Sequence, residues 1–123
     1  MGIPWKLNGK LLQKKNTFLD FVSVAEFLIA EKYCHPQKLV AKGMSAGGLT
    51  MGAVVQHSPH LFKVVIASVP FVDAINTMMD KDIPLTVNEW EEWGNPRILE
   101  HFHYMKSYSP YDNVQKRDYP HML

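Results

Sequence analysis

The 123-residue sequence has little that would tie it to a membrane, to nucleic acid or to an oxidising compartment. Its one cysteine, Cys34, cannot form an internal disulfide, which is compatible with a reducing compartment such as the cytoplasm. The formal net charge is only +1 at pH 7, so no charge imbalance points to nucleic acid or an anionic lipid surface. No apolar run approaches the roughly 20 residues that a membrane span needs. We therefore expect a cytoplasmic protein with no nucleic-acid or membrane partner.

Signals for export and lipidation are also missing from the start of the sequence. Residues 1–6 contain no long apolar core, so we expect no signal peptide. Gly2 follows Met1 as in a myristoylation signal, but Lys6 stands where that signal needs serine or threonine. Apolar residues make up 46% of the chain, enough for the packed core of one domain or of a piece of a larger one. No residue pattern calls for a metal or another cofactor.

The most informative stretch is residues 38–49, where a short apolar run meets Gly-x-Ser-x-Gly and continues into a helix-like segment. Strand, sharp turn and helix around a serine form the nucleophile elbow of an α/β-hydrolase. Gly43 and Gly47 suit the crowded turn because neither carries a Cβ. This pattern predicts Ser45 as a nucleophile and the backbone N–H of Ala46 as a donor to an oxyanion.

A less specific interpretation of the same motif is a glycine-rich turn that contains a serine by chance. Gly-x-Ser-x-Gly alone is a weak pattern, because short motifs recur without function. The apolar strand before it and the helical pattern after it favour the nucleophile.

The order of predicted elements indicates an α/β fold with a parallel sheet. Residues 17–32 show helical apolar spacing, with Thr17 and Asp20 resembling a capping box. Strand 39–41 leads into helix 46–57, and the β-branched run 63–68 reads as a central parallel strand. Crossover connections between parallel strands are right-handed. In sheets of this kind, ligands bind at the carboxyl ends of the strands.

The remaining segments carry weaker signals. Asp73 follows the second strand and is better explained as the cap of a short helix, 74–79, than as a catalytic acid. Residues 1–16 read as a loop with a solvated, lysine-containing surface, and 119–123 as the start of another strand.

Residues 80–113 contain several helix breakers and are predicted to be rich in loops. Their aromatic side chains suit a pocket wall and also a hydrophobic cluster that pins a long loop, and the two interpretations are compatible. Acids at 89, 91 and 92 suit either a solvated face or a cation site, and in an irregular segment Glu89 and Glu91 could converge on one cation. The aromatic residues concerned are Trp90, Trp93, Phe102, Tyr104, Tyr108 and Tyr111.

Several of these stretches together resemble the oligopeptidase B branch of the prolyl oligopeptidase family of serine peptidases. The similarity covers nearly the whole chain from about Trp5 onward, and its second half is more specific than the serine motif. Met44 departs from the pattern, in which a polar or small residue is more usual. The stretches that carry the resemblance are 15–18, 43–49, 69–73, 83–86, 89–96 and 104–114.

The resemblance implies a β-propeller that gates an α/β-hydrolase domain and a peptidase that cleaves short peptides after arginine or lysine. By position, Ser45 matches the nucleophile and Ala46 the backbone oxyanion donor. Glu89 and Glu91 match the two acids that receive the basic P1 side chain, and carboxylates are suited to a guanidinium. Residues 1–123 would then be a central part of the catalytic domain, without the propeller.

The same resemblance places the triad aspartate and histidine beyond the strand that begins at His121, and the oxyanion tyrosine upstream of Met1. The histidines present are candidate bases by residue type alone, and each is better explained as a surface or structural residue. An alternative is a truncated, non-catalytic homologue that acts as a binding or interaction module. An esterase is disfavoured, because an ester substrate has no need of the acid pair. The histidines concerned are His57, His60, His101, His103 and His121.

Overall fold

The sheet consists of three parallel strands in the order β1-β2-β3. We describe residues 2–123 from a computed structural model; Met1 lies outside the described residues. Helices precede, separate and follow the strands, so the predicted α/β class is confirmed. The elements are α1 Ile3–Leu7, α2 Lys15–Ala30, β1 Val40–Met44, α3 Ala46–His57, β2 Val64–Ser68, α4 Ala74–Met79, α5 Thr86–Trp93, α6 Leu99–Lys106 and β3 His121–Met122.

The register of the sheet brings the ends of β1 and β2 to one edge. Val40 pairs with Val64 at the start of the two strands, and Met44 pairs with Ser68 at their end. On the other side of β2, Val64 pairs with His121 of β3, so the strand predicted at the end of the sequence is present. The chain therefore leaves β1 and β2 side by side, where ligands bind in parallel sheets.

The core lies between the sheet, α3 and α2. Helix α3 is buried on nearly all sides and packs against both β1 and β2, while α2 covers α3. Leu49 and Val54 of α3 and Val65 of β2 are fully buried. Burying each such side chain contributes about 1.5–3 kcal/mol, so these contacts hold α3 firmly against the strands that precede and follow it.

The segment before α2 is more ordered than predicted. Residues 2–16 contain α1 and a 3₁₀ turn, Leu11–Gln13, instead of a loop. The predicted capping box at Thr17 is wrong, because Lys14 already has helical dihedral angles and α2 begins two residues before Thr17. The Thr17 hydroxyl instead donates to the Gly9 carbonyl at 3.2 Å, which joins α2 to the end of the α1 turn.

Residues 80–113 also form more regular structure than predicted. The helix-breaking residues delimit α5 and α6 and do not prevent these helices from forming. Leu85, in the left-handed conformation, comes just before α5, and Gly94, with φ of +109°, ends it. The prediction for Asp73 is confirmed, since its Oδ1 accepts from the Asn76 backbone N–H at 3.3 Å and caps α4. Helix α5 thus has a defined face toward the carboxyl edge of the sheet.

Candidate active site

Ser45 occupies a strained turn between β1 and α3. Its φ of +55° and ψ of −116° are rare for a residue other than glycine, and such a conformation costs on the order of 1–3 kcal/mol. Backbone hydrogen bonds hold it: the Ser45 N–H donates to the Ser68 carbonyl at 3.1 Å, and the Ser45 carbonyl accepts from the N–H groups of Gly48 at 2.8 Å, Leu49 at 3.2 Å and Phe71 at 3.1 Å. The predicted placement of Ser45 between a parallel strand and a helix is therefore confirmed.

Close packing around the turn explains one of the two glycines of the motif. A Cβ on Gly43 would lie only 2.5 Å from the Gly47 carbonyl carbon and still nearer its oxygen, so no side chain fits there. A Cβ on Gly47 would meet no atom within 4 Å among residues 2–123, so the expectation of crowding at Gly47 is wrong for this part of the chain. The close approach belongs to Gly48, where a Cβ would lie 2.6 Å from the Cα of Pro70.

The backbone N–H of Ala46 opens α3 and has no acceptor within the helix, because the first N–H groups of any helix lack one. The Ser45 side chain does not cap the helix, so this N–H stays available. The N-terminal end of the helix also carries partial positive charge. Ser45 and Ala46 are both exposed, and this arrangement is suited to stabilising negative charge on a carbonyl oxygen attacked by Ser45.

A cavity of about 190 Å³ lies beside Ser45 and Ala46. Its apolar lining includes Phe71 after β2, Met78 of α4 and Trp93 of α5, so the predicted aromatic pocket wall is present at Trp93. The Phe71 and Trp93 rings meet edge to face at 5.2 Å between centroids. The cavity thus has a firm aromatic wall next to the serine.

Glu89 supplies a carboxylate to this cavity. The side chain is half-buried, and its Oε2 accepts a hydrogen bond from the Trp93 indole N–H at 2.8 Å. Among the described residues, the lining includes no lysine, arginine or histidine to pair with it. A partly enclosed carboxylate without a cationic partner is suited to bind a positively charged group.

Glu91 is not brought to the same place. Residues 89–91 were expected to be irregular, but they lie within α5, where positions two apart point to nearly opposite sides. Glu91 is exposed and does not line the cavity. The third acid, Glu92, forms an ion pair with Lys14 at 2.7 Å.

No base for Ser45 is evident within residues 2–123. The lining of the cavity includes no histidine and no aspartate. His57 has its Nδ1 2.8 Å from the Ser58 hydroxyl, and the Nδ1 of His101 accepts from the Asn95 N–H at 3.0 Å. These two side chains thus make local structural contacts, as expected for histidines outside a triad.

Most of the other aromatic residues of 80–113 pack in the predicted hydrophobic cluster, namely Trp90, Phe102, Tyr104 and Tyr108, whereas Tyr111 is exposed. Tyr108 is 5% exposed and packs against Phe18 of α2 and Tyr104 of α6. Burial raises the pKa of Tyr108, because the anion would lose its hydration. Residues 80–113 therefore contribute both to the wall of the Ser45 cavity and to a hydrophobic cluster.

Sequence reasoning missed the role of Lys14, which was expected on a solvated surface. The residue is only 8% exposed, and its Nζ lies 4.4 Å from the centroid of the Trp93 ring. The i, i+4 spacing of Glu89 and Trp93 could have signalled their contact on a helix. Nothing local could have signalled Lys14, since its partner Glu92 is 78 residues away.

Two further properties hold for the described part of the chain. None of its helices is long and apolar enough to cross a membrane. Its histidine, cysteine, aspartate and glutamate side chains nowhere form a group of three that could hold a metal ion.

Comparison with known proteins gives consistent matches along the whole chain. The family model described as the prolyl oligopeptidase family matches residues 1–123. Protease 2 of Moraxella lacunata is 55% identical over 122 residues, which cover 99% of this chain and 18% of that protein. Dipeptidyl aminopeptidase BI of Pseudoxanthomonas mexicana is 49% identical over 123 residues and 17% of its own length.

Solved structures match the fold as well. Oligopeptidase B from Leishmania major has a TM-score of 0.92 at 53% identity, over 94% of this chain and 16% of that one. Oligopeptidase B from Trypanosoma brucei, with covalently bound antipain, has a TM-score of 0.93 at 53% identity, over 96% and 17% of the respective chains. The chain therefore spans less than a fifth of the length of these relatives.

Proposed function

The chain belongs to the prolyl oligopeptidase family, and from this membership and the cavity at Ser45 we propose that it carries the nucleophile of a serine endopeptidase that cleaves short peptides after arginine or lysine. The observation that carries the specificity is the Glu89 carboxylate, which lines the same cavity as Ser45 and Ala46 and has no cationic partner there among the described residues. In this cavity the guanidinium or ammonium of a P1 residue would contact Glu89, while the carbonyl carbon of the same residue lies next to Ser45.

The proposed reaction proceeds through an acyl-enzyme. The Ser45 Oγ attacks the peptide carbonyl carbon, and its proton passes to a base that the remainder of the protein supplies. The Ala46 N–H donates to the resulting oxyanion. The proton then moves to the leaving amine as the C–N bond breaks, and water hydrolyses the ester on Ser45. The covalent binding of antipain by the Trypanosoma brucei relative is compatible with such a nucleophile.

The proposal assigns residues 1–123 to a central part of an α/β-hydrolase catalytic domain in a longer, cytoplasmic protein. Because the chain covers 16–18% of its relatives, the triad aspartate and histidine and a β-propeller domain would come from the rest of that protein. Supporting this, the Ser45 cavity lining within residues 2–123 includes no histidine.

The isolated chain is accordingly expected to be inactive. Peptidase turnover by residues 1–123 alone should not exceed that of a Ser45→Ala control, because removing the partners of a triad costs several orders of magnitude in rate. Turnover is measured with a fluorogenic arginine peptide, and the serine is probed with a fluorophosphonate. Rapid labelling that disappears in Ser45→Ala would mean that a histidine of this chain serves as the base.

Glu89→Gln in the full-length protein should lower kcat/KM for arginine substrates selectively. The substitution keeps the size of the side chain but leaves the bound cation without a counter-charge, which costs about 2–5 kcal/mol, or about 30- to 5000-fold. The measurement is kcat/KM for a matched pair of peptides with arginine or norleucine at P1. The norleucine value should change little, because that side chain does not need the carboxylate.

Glu91→Gln is the matched control, since it makes the same change two residues along the same helix. Glu91 is exposed and outside the cavity, so we expect an effect below about 1 kcal/mol on either substrate. An unchanged arginine-to-norleucine ratio in Glu89→Gln would remove the assignment of Glu89. Equal losses in the two variants would mean that the remainder of the protein brings Glu91 to the same cation.

A further inference from the structure

The Trp93 indole connects the Glu89 carboxylate to a second group of charged residues. The side chain is 6% exposed and makes three directional contacts. Its N–H donates to Glu89 Oε2 at 2.8 Å, its ring packs edge to face with Phe71, and the Lys14 ammonium lies over it at 4.4 Å from the centroid. The position and rotation of the indole are therefore determined on three sides.

The Lys14 ammonium is itself held in place. It comes from the residue just before α2, is nearly buried, and forms an ion pair of 2.7 Å with Glu92 of α5. Glu92 also balances its charge, so the ammonium does not add unpaired positive charge close to a cavity for cations. A cation over an indole face is attracted by the ring and restrains it.

We propose that Trp93 is a positioning residue for the specificity carboxylate, and that Lys14 restrains Trp93 in that role. This inference rests on the proposed function of Glu89 as the group that receives the P1 cation. The indole N–H occupies one side of the carboxylate at Oε2, and no group among residues 2–123 donates to Oε1, which is left for the donors of the substrate. Without that N–H the carboxylate would keep its charge but sample several rotamers, and binding would have to select one of them.

Trp93→Phe in the full-length protein tests this directly. The substitution keeps an aromatic ring against Phe71 but removes the N–H to Glu89. We expect the arginine-to-norleucine ratio of kcat/KM to fall at least about tenfold, mainly through a higher KM for arginine peptides. Trp90→Phe is the matched control: its N–H donates to the Met78 carbonyl at 3.0 Å and does not touch Glu89, so the ratio should persist.

A double mutant separates positioning from a general structural role. If Trp93 acts through Glu89, Trp93→Phe should change the ratio by less than about twofold in a Glu89→Gln background. Independent, additive losses in the double mutant would overturn the inference, as would an equal loss with both substrates. If Glu89→Gln alone leaves the ratio unchanged, the proposed function fails. If Glu89→Gln lowers the ratio and Trp93→Phe does not, only the inference about Trp93 fails.

Lys14 offers a second test that does not alter the buried ring. Removing a cation near the cavity and freeing Glu92 would, by charge alone, raise the preference for arginine. The proposed restraint predicts the opposite: a mobile Trp93 would hold Glu89 less firmly and lower the preference for arginine. Lys14→Met should therefore reduce the arginine-to-norleucine ratio. Lys14→Arg keeps both the cation over the ring and a donor to Glu92, and should retain the ratio. A ratio that rises or stays constant in Lys14→Met would overturn the role of Lys14.

Discussion

Ser45→Ala in the full-length protein should reduce peptidase kcat by at least about 10³-fold, and by as much as about 10⁶-fold if a complete triad acts with it. The reason is that the strained elbow presents this hydroxyl next to the N–H of Ala46, and both residues line the cavity. The measurement is kcat and KM for an arginine peptide. KM should change much less than kcat, because the substitution leaves the Glu89 cavity intact.

The control is Ser107→Ala, since the Ser107 hydroxyl donates to the Tyr104 carbonyl at the end of α6 and does not line the Ser45 cavity. This variant should keep full activity and full fluorophosphonate labelling, with the label on Ser45. A Ser45→Ala protein as active as wild type would refute the nucleophile assignment. A full-length protein that binds arginine peptides but is neither active nor labelled would instead be the non-catalytic binding module.

Gly43→Ala should have the largest effect on stability. The new Cβ would overlap the Gly47 carbonyl, which is backbone at the start of α3, and would lie 2.8 Å from the Met51 side chain. Because backbone hydrogen bonds join Ser45 to the end of β2 and to α3, the turn cannot relax without moving Ser45 and the carboxyl ends of the strands. We expect a loss of about 3 kcal/mol or more in the free energy of unfolding, together with loss of activity.

Gly47→Ala makes the same chemical change four residues later and serves as the comparison. Its Cβ meets open space among residues 2–123, and alanine is a better helix former than glycine by about 0.5–1 kcal/mol. Denaturant unfolding and kcat of the two variants, measured in parallel, should therefore diverge. Equal destabilisation would show that segments outside residues 2–123 crowd Gly47 as well.

Three of the predictions that depend on a few consecutive residues agree with the structure. The Gly-x-Ser-x-Gly motif located the turn and the start of α3, because the geometry of a strand-to-helix elbow constrains Gly43 and Ser45. The β-branched run located β2, in which Val65 is fully buried and the other residues are half-buried, and Asp73 caps α4 through a hydrogen bond from the Asn76 N–H. For the elbow and the α4 cap, the side chains and backbone groups that decide the feature lie within one turn of each other.

The capping and loop predictions failed where distant contacts intervened. At the start of α2 the Lys15 N–H donates to the Tyr104 hydroxyl at 3.0 Å. This N–H group therefore has an acceptor without a capping side chain from Thr17. Helix α5 forms between residues that break helices, because Thr86 and Trp93 are buried at its two ends. Tertiary packing outweighs local preference in both cases, since propensities amount to less than about 1 kcal/mol per residue.

The sequence alone was sufficient to derive the α/β class, the elbow at Ser45 and the resemblance that pointed to a peptidase, because each depends on local periodicity or on contiguous motifs. Only the tertiary structure separated Glu89 from Glu91, since the direction of a side chain depends on whether its backbone is helical or extended. It alone revealed that the Lys14 ammonium lies over the Trp93 ring and that the Trp93 indole donates to Glu89. Those contacts join residues that chain folding, and not sequence proximity, brings together.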